Sequence, residues 1–423
     1  MEMMLIAGLD IGNGYVKGRA SQYNIQPTNI DFPSGAAVVT TSHNIETPDN
    51  AIPGLIQDIF NELDASFDTP LVKRTNRRLF GRRGIESGMF LDQFNVASNH
   101  ESKAEKDLSA VLTLGSLAGK ALQDYYAEHQ ALPNPDEIIQ IHARVFLALP
   151  VNEYVDYRVQ YAAGYMSTSH LVTIYNFKYP VRFQIFFDNV QVVAEGAAAQ
   201  SAIIEGGTSL MQALLDDLRK MESVLPGITN RLNGVTPEML LQAKRTVGID
   251  IGEGTVNFPV MNGTQLNADV STHMDAGYGR VLEKALARLK KLHHNFNSRK
   301  ELTEFLNTER NNPMHRARYN AVAGIVDEEI DGFVNEIEMK YREVMGGVGV
   351  NIDLVYVYGG GATPVRHKLY PALLQVAQDF GGVDMTAPIL YLDSRYSRNL
   401  NRNGLYVLAN LLTQREFQTP AQG

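Results

Sequence analysis

Leu9-Asp10-Ile11-Gly12-Asn13-Gly14-Tyr15-Val16-Lys17-Gly18, near the start of the chain, is echoed far downstream by Ile249-Asp250-Ile251-Gly252-Glu253-Gly254-Thr255-Val256. Asp, Ile, Gly, Gly and Val recur in register. The first copy reads as a buried strand over Leu5 to Asp10, a tight turn at Gly12-Asn13-Gly14 and a returning strand over Tyr15 to Ala20, because Asn-Gly supplies positive φ cheaply. The second copy reads the same way between Val247 and Val260. Internal repetition changes how the whole fold is read. Two copies predict an α/β protein with two related mixed-sheet domains facing one another, an aspartate at the mouth of each and a ligand cleft between them.

Composition sets the outer bounds. At 423 residues the chain has room for about two to four domains. A hydrophobic fraction of 44% with 20% charged residues is ordinary globular composition. Disorder is expected only in the tail from Gln414 to Gly423. The net charge of −9, from 38 basic and 47 acidic side chains, argues against broad binding to nucleic acid or a membrane surface. Cysteine is absent, which excludes disulfides and thiol catalysis and allows a reducing compartment. The start, MEMMLIAGLDIG, lacks a basic region ahead of its short apolar stretch, so neither a signal peptide nor a membrane span is expected, and the cytoplasm is the default location.

Between the two motifs, residues 33–140 have a texture of loops and helices and read as an insertion subdomain, with a long helical pattern between Ser102 and Gln130. Strands are expected at Ile141 to Leu149, Leu171 to Tyr175 and Val181 to Val193, the last broken at Asp188-Asn189. A helix is expected over Gly196 to Met221, charged helices over Arg280 to Met345 and a strand over Asp353 to Tyr358. Closing helices are expected over Arg366 to Phe380 and Arg402 to Thr413.

A phosphate chain needs many backbone N–H donors at close range, and a glycine-flanked turn provides them because no Cβ blocks the approach. Gly12, Asn13 and Gly14 suit that task, as do Gly252, Glu253 and Gly254 with the Thr255 hydroxyl. Asp10 and Asp250 directly precede the turns, where they are suited to hold Mg²⁺ through its waters. Lys17 lies on the returning strand within reach of phosphates. Gly359-Gly360-Gly361-Ala362 permits close approach of a flat ligand such as adenine, and Glu195 sits where a helix N-terminus leaves the sheet. A rival phosphate loop at Gly115 to Lys120 is one residue short of the required spacing, has Ala121 at the metal-binding position and reads as part of an amphipathic helix. The ten histidines form no metal-ligand cluster, and His293-His294 fall in a basic helical stretch expected to face solvent. The run from Lys73 to Arg83 holds six Lys or Arg and no acid, which reads as a solvated face, with a partner contact as the sharper alternative.

Together these segments resemble the actin-like ATPases, most closely the ParM/StbA group of plasmid-segregation proteins. LDIGNGYVKG resembles their first phosphate motif, VFLALPVNEY their Leu-Pro-x-x-Glu-Tyr strand end, VVAEGAAA their connecting helix and GIDIGEGTV their second phosphate motif. DAGYGR, with Gly277 and Gly279, resembles the second connecting segment, VYVYGGGA the adenosine motif and SRNLNRNGLYVLANLL the C-terminal Asn-Gly-Tyr helix. The resemblance implies an actin-like fold around a central nucleotide cleft. Residues 1–194 would form domain I with the insertion at about 33–140. Residues 195–400 would form domain II with a helical insertion at about 280–340, and residues 401–423 a helix packing back on domain I. It implies that Asp10 and Asp250 organise Mg²⁺, that Glu195 polarises the attacking water and that Lys17 binds phosphate. Gly360 and Gly361 would lie against adenosine. ATP, with GTP as the alternative, would drive a self-assembled filament, tied to DNA through an adaptor protein at a centromere-like locus. A small-molecule kinase and a non-polymerising adaptor ATPase of the same superfold are the competing readings. The long stretch from Gly206 to Arg245 reads as an extra helical excursion.

Overall fold

The computed structural model describes residues 1–40, 46–73, 77–94, 102–221, 232–349, 351–382, 387–397 and 399–418. Its contacts divide the chain into two compact units, Met1–Glu205 with Asn399–Gly423, and Gly206–Arg398.

In the first unit the strands are β1 (Glu2–Ile11), β2 (Tyr15–Gln22), β3 (Thr28–Pro33), β4 (Ala36–Val38), β5 (Asp64–Asp68), β6 (Arg77–Phe80), β7 (Leu91–Asp92), β8 (Ile138–Leu149), β9 (His170–Ile174) and β10 (Val181–Ala194). Among the described residues they form one sheet in the order β3-β2-β1-β8-β10-β9-β5-β6-β4-β7. β1 pairs antiparallel with β2 and parallel with β8, which in turn runs parallel to β10. A strand covered on both faces reads as a continuous apolar run, and β1 is such a strand. Met3, Leu5, Ala7 and Leu9 enter the large core, while Ile6 packs with Tyr406 and Ala409 of the C-terminal helix Leu400–Gln418 on the other side. The pairing of β10 with β8 shifts register between Phe187 and Asn189, at the expected break.

The second unit's strands are β11 (Arg245–Ile251), β12 (Val256–Phe258), β13 (Val260–Asn262), β14 (Gln265–Leu266), β15 (Thr272–Met274), β16 (Leu354–Tyr358) and β17 (Ile389–Tyr391). β11 pairs antiparallel with β12 and β13 and parallel with β16, and β16 runs parallel to β17. The pattern repeats that of β2, β1, β8 and β10. The echo in sequence is therefore also an echo in strand pairing. Helices Tyr278–Lys291, Arg299–Thr308 and Arg316–Val348 account for the charged stretch.

Several expectations change. The Ser102 to Gln130 pattern yields helix Asp107–His129, which is not amphipathic: every residue from Leu108 to Leu122 is buried. Gly115 and Gly119 admit the rings of Phe80 and Phe60, which a Cβ would meet at 2.4 and 2.9 Å. Lys120, buried at 1% exposure, pairs with Asp124 one turn on. The helix expected over Gly196 to Met221 is two, Ala197–Glu205 and Gly207–Arg219, split where Gly207 takes φ +60°. His293 and His294 lie beyond the helix end at Lys291, His293 in the left-handed region at φ 61°.

The basic run is not a solvated face. Arg77 makes a bidentate pair with buried Asp64 at 2.8 and 2.9 Å, Arg78 is 3% exposed, and Arg82 pairs with Asp58 and Glu62 at 2.6 and 2.7 Å. Acids distant in sequence supply the balance the local stretch lacks. Arg74 lies outside the described residues. The tail is helical through Gln418, because Glu416 pairs with Arg144 and Phe417 packs on Tyr23 with ring centroids 4.9 Å apart. Of the stretch Gly206 to Arg245, helices Gly207–Arg219 and Pro237–Leu241 are described and residues 222–231 are not. Among the described residues no helix is long and apolar enough to cross a membrane.

Candidate functional site

Each unit carries one aspartate-led hairpin with residues gathered around it. In the first, the Gly12 N–H donates to the Tyr15 carbonyl at 3.0 Å, closing the turn. The Ser34 hydroxyl donates to the Gly12 carbonyl at 2.6 Å and its N–H to the Gly14 carbonyl at 3.0 Å. Gly12, Asn13 and Gly14 are themselves half-buried. The register sets Lys17 directly across from Asp10, as cross-strand partners on one face.

Glu195 follows β10 and its N–H donates to the Leu149 carbonyl at 2.7 Å, fixing its backbone to the end of β8. Its carboxylate accepts from Lys103 Nζ, both side chains being about nine-tenths buried. Burial and, next, the charge on Glu195 push the Asp10 carboxyl above its ordinary range, while Lys103 and Lys17 pull it back. Burial lowers the Lys103 ammonium, but Glu195 and Asp10 more than offset this and hold it above its usual value. Two carboxylates and two ammoniums thus share a small volume behind the glycine turn. Lys103 and Lys17 thus offset the charges of the two carboxylates.

The second hairpin repeats the closure: the Gly252 N–H donates to the Thr255 carbonyl at 2.9 Å. Asn257 stands across from Asp250 where Lys17 stands across from Asp10. The start of helix Tyr278–Lys291 docks on the turn, the Tyr278 N–H donating to the Gly252 carbonyl at 3.0 Å and the Gly279 N–H to the Glu253 carbonyl at 2.9 Å. A Cβ at Gly277 would stand 2.4 Å from the Glu253 carbonyl oxygen. Both DAGYGR glycines therefore serve contact with the turn. Arg299 pairs with the Glu253 carboxylate at 3.0 Å.

Asp250 is 7% exposed, and the glycine run lies directly on it. Gly359 has φ +98°, and a Cβ there would fall 2.6 Å from Asp250 Oδ1, so no other residue fits without strain. The Gly361 N–H donates to the Ile251 carbonyl at 2.8 Å, and a Cβ at Gly361 would meet Tyr278 at 2.7 Å. Gly360 is exposed with open space where its Cβ would be. Of this run, Gly360 offers open backbone and Gly361 is occupied with packing. Burial, followed by the charge on Asp250, pushes the Tyr358 phenol well up, so it stays protonated beside the carboxylate.

The donor set fits a phosphate chain with a hard cation. Main-chain N–H groups and lysines suit the anion, and aspartates suit a cation that prefers oxygen. Among the described residues no group of three or more His, Cys, Asp or Glu forms a closed metal site. Lys103 is the residue that sequence reasoning missed. It lies 92 positions from Glu195, in a charged stretch with no motif around it.

No protein-family model matches this sequence, and no curated protein matches it. Solved structures do. Bacillus thuringiensis ParM with ATP is 14% identical, with 97% of this chain and 99% of that one covered, at a TM-score of 0.57. Actin-like protein Alp7A is 16% identical, with coverage of 99% and 98% and a TM-score of 0.59. Ta0583, an archaeal actin homolog, is 13% identical, with coverage of 98% and 99% and a TM-score of 0.57. At such identities the likeness is one of fold over the full chain, and it joins the duplicated hairpin-and-parallel-strand pattern described above: this protein has an actin-like fold of the ParM type.

Proposed function

We propose that the chain binds and hydrolyses ATP and assembles into filaments that segregate plasmid or phage DNA through a DNA-binding adaptor, in the cytoplasm. The observation that carries this reading is the repeated turn closure, an aspartate before each turn, with Glu195, Lys17 and Lys103 gathered behind the first. The similar structures add support: the Bacillus thuringiensis ParM was solved with ATP, AMPPNP and ADP.

In this proposal each hairpin serves the nucleotide. The N–H groups of Asn13 and Gly14 and of Glu253 to Thr255 bind its phosphates, Lys17 adds charge, and Gly360 leaves room for adenosine. Gly277 and Gly279 shape the second turn. Asp10 and Asp250 would hold Mg²⁺ through its waters, and Mg²⁺ when bound supplies neutralisation of phosphate charge. Glu195 orients the attacking water by accepting its hydrogen bond. Such a division suits phosphoryl transfer, where catalysis is mostly positioning and charge stabilisation.

Light scattering and negative-stain microscopy of the purified chain test the assembly claim. Addition of ATP with Mg²⁺ is expected to raise scattering and yield filaments, and chelation by EDTA to abolish both. A chain that stays monomeric well above micromolar concentration would overturn it. Asp250→Ala is expected to weaken Mg²⁺-ATP binding by roughly tenfold to a hundredfold, the range for loss of an outer-shell metal partner. Isothermal titration at wild-type affinity would remove Asp250 from the metal site.

A further inference from the structure

We infer that Lys103 is a positioning residue for Glu195, and that Glu153 of the Leu-Pro-Val-Asn-Glu-Tyr segment is the clamp that delivers it. The inference rests on the reading of Glu195 as the water-orienting group and adds two residues that no motif assigns to the reaction.

Glu153 lies in the first turn of helix Val151–Met166. Its carboxylate Oε2 accepts from the Ser102 hydroxyl at 2.8 Å and from the Ala104 N–H at 3.0 Å. These are the two neighbours of Lys103. The Lys103 carbonyl in turn accepts from the Ser109 hydroxyl at 2.7 Å, inside helix Asp107–His129. The lysine's backbone is thus tied to two helices, and its buried side chain has one direction to run, to the Glu195 carboxylate.

The chemistry gives that contact a purpose. A carboxylate that must accept a hydrogen bond from water has to be ionised and held in one rotamer. Glu195 is close enough to Asp10 for their charges to oppose each other, and like charges favour protonation or rotation of one partner. A lysine ammonium hydrogen-bonded to the carboxylate opposes rotation and holds it in one rotamer. It also has three donors, so the grip on Glu195 does not exhaust it. Residues 102–104, ahead of helix Asp107–His129, therefore bring a cation to the hydrolytic carboxylate, and Glu153 is the reason it arrives in one place.

The test uses the full chain and its variants Lys103→Met, Lys103→Arg, Glu195→Gln, Lys103→Met with Glu195→Gln, and Glu153→Gln. Steady-state ATP hydrolysis with Mg²⁺ is read beside binding of a fluorescent N-methylanthraniloyl-ATP probe and thermal melting. Lys103→Met is expected to lower kcat by about tenfold or more, the scale of effect for a misplaced catalytic group, with KM and probe affinity within about twofold. Lys103→Arg should recover part of the loss, and Glu153→Gln should reproduce part of it. In the Glu195→Gln background Lys103→Met should cost nothing further, because a group that acts through another has no effect once that one is disabled. The double variant also removes the buried unpaired charge, so it remains interpretable if Lys103→Met alone melts early.

Weakened probe binding at unchanged kcat would make Lys103 a phosphate ligand and overturn the inference. Losses that multiply in the double variant would overturn it too. A wild-type chain that hydrolyses ATP while every Lys103 variant matches it defeats this inference alone, whereas a wild-type chain that hydrolyses none defeats the function reading and this one together.

Discussion

Glu195→Ala slows ATP hydrolysis by about a hundredfold or more while leaving nucleotide binding largely intact: this is the expected result for removal of one group that acts on the transition state. The geometry behind the expectation is specific. Glu195 is anchored through its N–H to the Leu149 carbonyl and through its carboxylate to Lys103, so it is held from both ends. The alanine variant deletes the acceptor without disturbing the anchor on β8, since the main-chain bond stays. It leaves Lys103 buried beside the opposite charge of Asp10, with one positive charge of the cluster, from Lys17 or Lys103, in excess. Single-turnover hydrolysis and probe binding measured on the same preparation check it. Unchanged turnover would refute the role, and loss of binding in step with turnover would assign Glu195 to the ground state.

Gly404→Ala is expected to be the most damaging single-methyl change in the first unit. Gly404 lies in helix Leu400–Gln418, and a Cβ there would stand 1.8 Å from the Ala198 carbonyl oxygen of helix Ala197–Glu205. Both atoms belong to the packed backbone, so no side chain can swing away. Gly8 in β1 makes the matching approach from the sheet, with a Cβ position 2.2 Å from the Tyr406 nitrogen. The helix is thus seated on bare backbone at two places, between β1 and helix Ala197–Glu205. Overpacking at such a contact costs on the order of 3 kcal/mol, enough to lower the melting temperature and the yield of folded protein. Gly324→Ala is the control. It lies in helix Arg316–Val348 with nothing within 4 Å of its Cβ position, and the same substitution there is expected to stabilise by about 0.5–1 kcal/mol. Thermal melting that ranked the two variants the other way would show that the seat of the C-terminal helix yields.

The C-terminal Asn-Gly-Leu-Tyr segment and the Ala-Glu-Gly-Ala-Ala-Ala segment thereby acquire one physical reason. Ala198 is small and Gly404 smaller, so the two helices touch through main chain, and Tyr406 two positions on hydrogen-bonds Ser21 of β2 at 2.8 Å. That contact sits one strand away from Asp10. A methyl group at Gly404 would therefore press on the same layer that holds the first turn.

What the sequence determined by itself was local. Two hairpins, each opened by an aspartate and closed by the same glycine-to-carbonyl bond, follow from Asp-Ile-Gly-x-Gly because strand alternation acts over a few residues, although the positive φ expected at Asn13-Gly14 is not taken. Strand ends at Leu149 and Tyr358, and glycines that suit close approach, are legible for the same reason. Tertiary structure alone decided the partners. That Lys103 meets Glu195, that Glu153 holds Lys103 in place, that the basic run is neutralised by Asp58, Glu62 and Asp64, and that a helix with lysine and serine on it is buried all round are facts about chain segments far apart in sequence. A single sequence carries the propensity of each segment but not the pairing between them, because burial and charge balance are properties of the space that the folded chain encloses.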